Sequence, residues 1–441
     1  MERNSAVEQR FNNQSFHTLA FIMEHDFAGC EMVGPRMAAP FQANLDRIDF
    51  EQRVPLMSRL YEEHFVRNAV EYLGVAGGGA AALELGRAAL YPEVLNCGFA
   101  VRRFGDELIV TCVWADERLR AGDRIVMVNG YDVPAFAKQA KPVLSDQSGD
   151  ASHEVWDIVL AFSRHFDVRR GNGQTERLKT RHVRDEAPCK APLPEDAGDG
   201  LWVVRLGRET DGRLAACLRD GFAGAEPRGM VIDVRESAEM DEEDALALLP
   251  LVIDEAAVLE ELPGFGPFHL WCSPNNCRLT ADILVASAEA MESQGLFADA
   301  AATRSQAEEI RSMSGRGFQQ VDLAGNEITP VEPLWPGVPV VVLADIATAG
   351  EAEKLVRLAK DAARGTVLGR ATRGTLDWRL PLTVSLDAAY SVRYPAALSP
   401  EAWEGNVVGG RGVTPDVAVT WGPAHLGRDV DLERALALLR S

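Results

Sequence analysis

The stretch 337-GVPVVVLADIATAGEAEKL-355 decides how the rest of the chain is read. The apolar run ending at Ala344 predicts a buried strand, and Glu351 onward predicts an amphipathic helix reaching about Ala363. A strand that turns sharply into a helix through small residues is where several hydrolase folds hold a nucleophile. The tip of this turn reads Ala347, Thr348, Ala349, Gly350, with neither serine nor cysteine.

Upstream and downstream of this elbow, strands alternate with helical patterns. "LWVVRL" and "GMVIDVRES" are each followed by a helix-like segment, and "GTVLGRAT", "WRLPLTVSL" and "AAYSVRY" follow the elbow helix. This alternation predicts an α/β core with a largely parallel sheet over 199–441, closed by the short helix "DVDLERALALLR". Before it, "DEAPCKAPLPEDAGDG" reads as a linker, assigned to 186–198. Residues 96–185 show short apolar strands, with Asn129-Gly130 as a tight-turn signal. Residues 1–95 read as a helical region, because Val54 to Leu73 carry apolar side chains near a period of 3.6. The glycine cluster in "GVAGGGAAALELG" follows a helix and lacks a lysine–hydroxyl pair, so it predicts a helix stop and loop, not a phosphate cradle.

Composition narrows the function. Acidic residues outnumber basic ones 66 to 45, for a formal charge of −21. That field disfavours nucleic acid and anionic lipid and favours a neutral or basic peptide. Seven scattered cysteines do not form a disulfide framework and predict reduced thiols. With no basic-then-apolar segment at the start and no long apolar run, the expectation is a cytoplasmic chain that does not enter a membrane.

Together these segments resemble the C-terminal processing peptidases, or tail-specific proteases. "LRAGDRIVMVNGYDV" resembles their PDZ signature, "RGMVIDVRES" their L-D-L-R-type strand, and "GRGVTPDVAV" their G-V/I-x-P-D string. "DLERALALL" resembles their closing helix. The resemblance covers roughly residues 97–440. It implies an α+β multidomain fold: an N-terminal helical segment, a PDZ-like β module, and an α/β core of the ClpP/crotonase-like type. The family's S-A-S-A-S-E elbow falls on Thr348 to Glu353, which puts Gly350 at the nucleophile position. Its G-E-P-T-x-G-K string falls on Gly369 to Thr375, which puts Thr375 at the position of the general-base lysine. The P-G-G turn that helps form the family's oxyanion hole falls on Ala238, Glu239 and Met240. Acyl transfer needs an activated nucleophile beside a base, and neither a glycine nor a threonine hydroxyl supplies these parts. The resemblance therefore implies a pseudopeptidase that uses no cofactor and binds a peptide or protein segment. It would present or protect that segment for a partner modifying enzyme or a paralogue, as a monomer or a homodimer. The expected peptide-contacting residues are Gly98, Phe99, Ala100 and Val101 in the module and Ile346, Ala349, Gly350 and Thr375 in the core. Two other readings remain open: a non-proteolytic enzyme on a crotonase-like core, and a structural subunit of an active paralogue.

Other chemistry-bearing residues have simpler explanations. Ser152-His153 reads as a helix start, with Ser152 as its cap. Thr348, two residues from the elbow tip, does not share its direction and is a poor substitute nucleophile. His269, Cys272 and Cys277 lack a second ligand pair for zinc, and His25, Asp26 and Cys30 fare no better. The acidic run "SAEMDEEDA" suits a loop and a helix N-terminus.

Overall fold

The computed structural model describes residues 15, 17–30, 69–70, 72–73, 81–85, 96–140, 144, 151–184, 193–206, 214–235, 237, 240–323, 330–386, 390–405 and 411–441. The proposed oxyanion-turn residues Ala238 and Glu239 and most of the 54–73 periodicity lie outside the described residues.

Helix α1 (17–25) buries Leu19, Ile22 and Met23 against Tyr72 and the antiparallel sheet described below. Strand β1 (Ala82–Leu85) joins that sheet by pairing antiparallel with residues 390–393. The sequence predicted loop and helix here. Four residues beside a glycine cluster carry too weak a pattern to reveal a strand whose hydrogen-bond partner lies about 300 residues away.

The β module contains β2 (Phe99–Phe104), β3 (Glu107–Val113), β4 (Arg124–Val128), helices α2 (Val133–Ala140) and α3 (Asp157–Ala161), β5 (His165–Arg169) and β6 (Thr175–Lys179). The strands run antiparallel in the order β2-β3-β4-β5-β6, so β2 is an edge strand among the described residues. Asn129 and Gly130 both have positive φ, 52° and 87°, the requirement of the tight hairpin that leads to Tyr131–Asp132. Phe99, Val101, Val110, Ile125, Trp156 and Phe166 fill the module's own core.

The remaining strands and helices are β7 (Leu193–Asp196), β8 (Leu201–Arg205), α4 (Leu214–Gly221), β9 (Gly229–Asp233), α5 (Glu242–Val252), β10 (Phe268–Trp271), α6 (Pro274–Ser293), α7 (Phe297–Ser312), β11 (Phe318–Val321), β12 (Val340–Ala344), α8 (Glu351–Asp361), β13 (Gly365–Gly369), β14 (Trp378–Ser385), β15 (Tyr390–Leu398), β16 (Val417–Ala418) and α9 (Val430–Arg440). One sheet runs in the order β16-β13-β12-β9-β8-β7. It is parallel except at β7, which pairs antiparallel with β8 and so makes part of the expected linker an edge strand. A second, antiparallel sheet carries β1, β15, β10, β11 and β14, with the α6–α7 hairpin packed into its core. Gly295 at φ 83° breaks the long helical stretch between α6 and α7.

In the parallel sheet the side-chain period of two is fully used. Val340, Val342 and Ala344 face a core formed with α5 and α8, whereas Val341 and Leu343 face α9. Every residue of β12 is buried, each aliphatic side chain contributing roughly 2 kcal/mol relative to exposure. This rigid strand ends at the elbow.

Candidate functional site

The elbow turn is held from below. Asp345, at the end of β12, accepts from Ala347 N through Oδ1 (3.0 Å), and its own N–H donates to Thr348 Oγ1 (3.1 Å). The Thr348 hydroxyl donates to Val234 O at the end of β9 (2.8 Å), and the side chain is wholly buried. Thr348 is thus a tie between two strand ends, facing away from solvent.

Gly350 caps α8 with φ 57° and ψ −127°, a conformation that costs strain for any residue with a Cβ. An added Cβ would nonetheless meet no heavy atom within 4 Å. The tip of the turn therefore faces open space where a side chain would project. Its N–H donates to Thr375 Oγ1 (2.8 Å), so the structure joins the two residues that the sequence singled out. Ile346 is half-buried in the same turn, and Ala349 is buried beneath the tip.

Glu353, one turn into α8, organises the far side. It is fully buried and accepts four hydrogen bonds: from Thr372 Oγ1, Gly374 N (2.8 Å), Thr375 N (2.7 Å) and Thr375 Oγ1 (2.7 Å). Burying a carboxylate is costly without such partners. With them, it fixes the 372–375 loop against the elbow. Thr375 therefore bridges Glu353 and the Gly350 backbone with one hydroxyl.

Beyond the strand ends lies an ion network. Arg102, on β2 of the module, pairs with Asp345 at the base of the elbow. Arg370 pairs with Asp431 (2.7 Å) and lies 3.9 Å from Asp345. Arg235 reaches Asp233, Asp429 and Asp431 at 2.7, 2.8 and 3.0 Å. Burial alone would raise the Asp431 carboxyl, but Arg370 and Arg235 outweigh it and hold it down at about 2. Sequence reasoning missed this network because its members are far apart in the chain. The one available signal was a charged residue at or just past the end of three strands: Arg205 on β8, Asp233 on β9 and Asp345 after β12.

The module residues sit differently. Phe99 and Val101 point into the module core, leaving only backbone and Ala100 toward the edge. Gly98, at φ 77°, donates its N–H to Asn96 Oδ1 (2.9 Å), and its carbonyl accepts from Trp114 N (3.0 Å) and Ala115 N (3.1 Å). Its donor is already used, so Gly98 does not offer a free N–H to a ligand carboxylate. Arg103 of β2 pairs with Glu154 (2.6 Å), tying the edge strand to the segment after Ala151–His153.

The discounted clusters are structural. Asp26 accepts from Ser273 Oγ (2.6 Å) and Asn275 Nδ2 (3.0 Å), anchoring the N-terminus of α6. The His269 ring stacks on Trp403 with centroids 4.6 Å apart, and Cys272 and Cys277 are buried thiols. Asp241 caps α5 by accepting from Asp244 N (2.8 Å), which places the acidic run at a helix N-terminus. Among the described residues no group of three or more His, Cys, Asp or Glu is placed to hold a metal ion, and no helix is long and apolar enough to cross a membrane.

No protein-family model and no curated protein sequence matches the chain. Solved structures do. Mature CPAF aligns with a TM-score of 0.64 at 13% identity, covering 98% of this chain and 97% of that one. Mature CPAF complexed with lactacystin aligns at 0.63 and 13%, covering 98% of each chain. The photosystem II D1 C-terminal processing protease aligns at 0.43 and 17%, covering 98% and 97%. The chain therefore has a mixed α/β, multidomain fold like that of mature CPAF.

Proposed function

We propose that this chain is a tail-specific-protease-like protein that does not cleave: it holds a peptide or protein segment across the elbow and presents or protects it for a partner enzyme. The observation that carries the reading is the pairing of Gly350 with Thr375. The strand-to-helix turn is braced by Glu353 through Thr375, yet the two positions where the resemblance expects nucleophile and base hold a bare α-carbon and a neutral hydroxyl. A hydroxyl does not titrate near neutrality and cannot take the role of an amine base. What is left is open space at the tip of the turn, beside a loop fixed by Glu353.

The test is enrichment from a random peptide library. Specific peptides should be retained and recovered uncut, and the bulky variant Gly350→Trp should lose them while still unfolding cooperatively, its melting temperature lowered only by the backbone strain of a Cβ at this φ. Retention unchanged by that variant, or recovery of cut peptides, would contradict the proposal.

A further inference from the structure

Beside the elbow lies a pair of cations that its architecture does not require. Lys354, one turn into α8, donates its backbone N–H to Gly350 O (3.2 Å), and its ammonium pairs with Glu351 (2.7 Å). Its stem lies across Gly264, where a Cβ would meet Lys354 Cγ at 3.1 Å, and Nζ sits 4.9 Å from the centre of the Phe265 ring. The carbonyl of Gly264 accepts from Arg379 Nη1, so one glycine backbone positions both cations.

Arg379 differs from the other buried or half-buried arginines near the strand ends. Arg102, Arg235 and Arg370 each have a carboxylate partner. Arg379 is partly buried with its guanidinium over the Phe268 ring (5.7 Å), and among the described residues it forms no ion pair. Glu351 is the acid whose field acts on it most, but that carboxylate is held by Lys354. Glu242 and Glu401 act on it only through their fields, from exposed positions. A guanidinium carries five N–H donors in a planar fork, and one is used here. The fork matches a carboxylate and binds it in bidentate fashion.

Building on the peptide-holding reading, we infer that Arg379, backed by Lys354 on the Gly264 loop, is a carboxylate-binding subsite beside the elbow. The carboxylate comes from the end of a peptide chain or from an acidic side chain. Arg379 lies four residues beyond Thr375 and shares the Gly264 backbone with Lys354, whose own N–H donates to Gly350 O, so the subsite adjoins the elbow. The assignment also gives a ligand carboxylate a receptor in the core, whereas Gly98 in the module has its donor occupied.

The experiment titrates full-length protein with three N-acetylated tripeptides and with N-acetylglycine. The peptides are a free acid, its C-terminal amide, and an amide carrying one glutamate. The readouts are affinity and the Arg379 Nε–H resonance. The expected result is that at least one carboxylate-bearing peptide binds about ten-fold or more tighter than the plain amide, with the resonance shifted. The free acid and the glutamate amide identify the source of the carboxylate. Arg379→Gln should erase that preference and Arg379→Lys should keep part of it, both with unchanged melting temperatures. Acid and amide binding alike overturns the subsite and leaves the peptide-holding reading standing. A resonance that no carboxylate moves, N-acetylglycine included, also overturns it. Absence of binding by every peptide counts against both.

Discussion

Two glycines with positive φ mark the two places where a peptide was expected, and they are glycine for different reasons. At Gly98 the space is full: a Cβ would lie 2.9 Å from Asp116 N and 3.0 Å from both Ala115 Cβ and Val183 Cγ2. At Gly350 the space is empty, and only the backbone conformation disfavours a side chain. Gly98 is thus fixed by packing and its polar groups are satisfied internally. Gly350 sits where the fold leaves room for a functional side chain and the sequence supplies none. A glycine enforced by its neighbours is evidence about folding, and a glycine in open space is evidence about chemistry.

The largest effect that would break this contrast lies at Glu353. Glu353→Ala leaves two hydroxyls and two backbone N–H groups without their acceptor, for an expected loss of about 4 kcal/mol in chemical denaturation. A loss below about 1 kcal/mol would mean that the elbow is not held in the way described. Gly98→Ala should cost about 3 kcal/mol, from strain at φ 77° plus a contact that the flanking backbone cannot relieve.

The network beneath the elbow sets an acid dependence. Asp431 has a folded-state value of about 2, below the ordinary carboxylate value, so its contribution is present above about pH 4 and is lost as pH falls toward 2. The stability involved is about 2 kcal/mol, measurable as denaturation midpoints across that window. Asp431→Asn should be less stable at neutral pH and flatter between pH 4 and 2. The smallest effect belongs to Gly350→Ser, with room for the side chain and only backbone strain of about 1 kcal/mol. A cost like that of Gly98→Ala would erase the distinction between the two glycines.

Much of the core was legible because its signals are local. The unbroken apolar run at Val340 to Ala344 could only be a buried strand, and the small-residue turn after it announced the elbow. Gly350 and Thr375 were singled out through the resemblance, by laying the family's two strings on this chain, and the structure joins them by a 2.8 Å hydrogen bond that the sequence did not announce. What stayed hidden depends on partners distant in sequence. Strand β1 pairs with a segment about 300 residues later, and the Arg102–Asp345 pair spans 243 residues. Gly98 was expected to contact a peptide, and nothing in "NCGFAV" announces that Asn96 folds back to take its N–H. Arg379 carried no signal at all. Only the fold shows an arginine near the elbow that, among the described residues, lacks the carboxylate its neighbours have.

The central claim is most directly tested by exposing the protein to a serine-reactive fluorophosphonate and to C-terminally labelled peptides, and following both by mass spectrometry. The account predicts an unlabelled protein and intact peptides after prolonged incubation. Turnover above background that is abolished by Thr348→Ala or Ser152→Ala would contradict it.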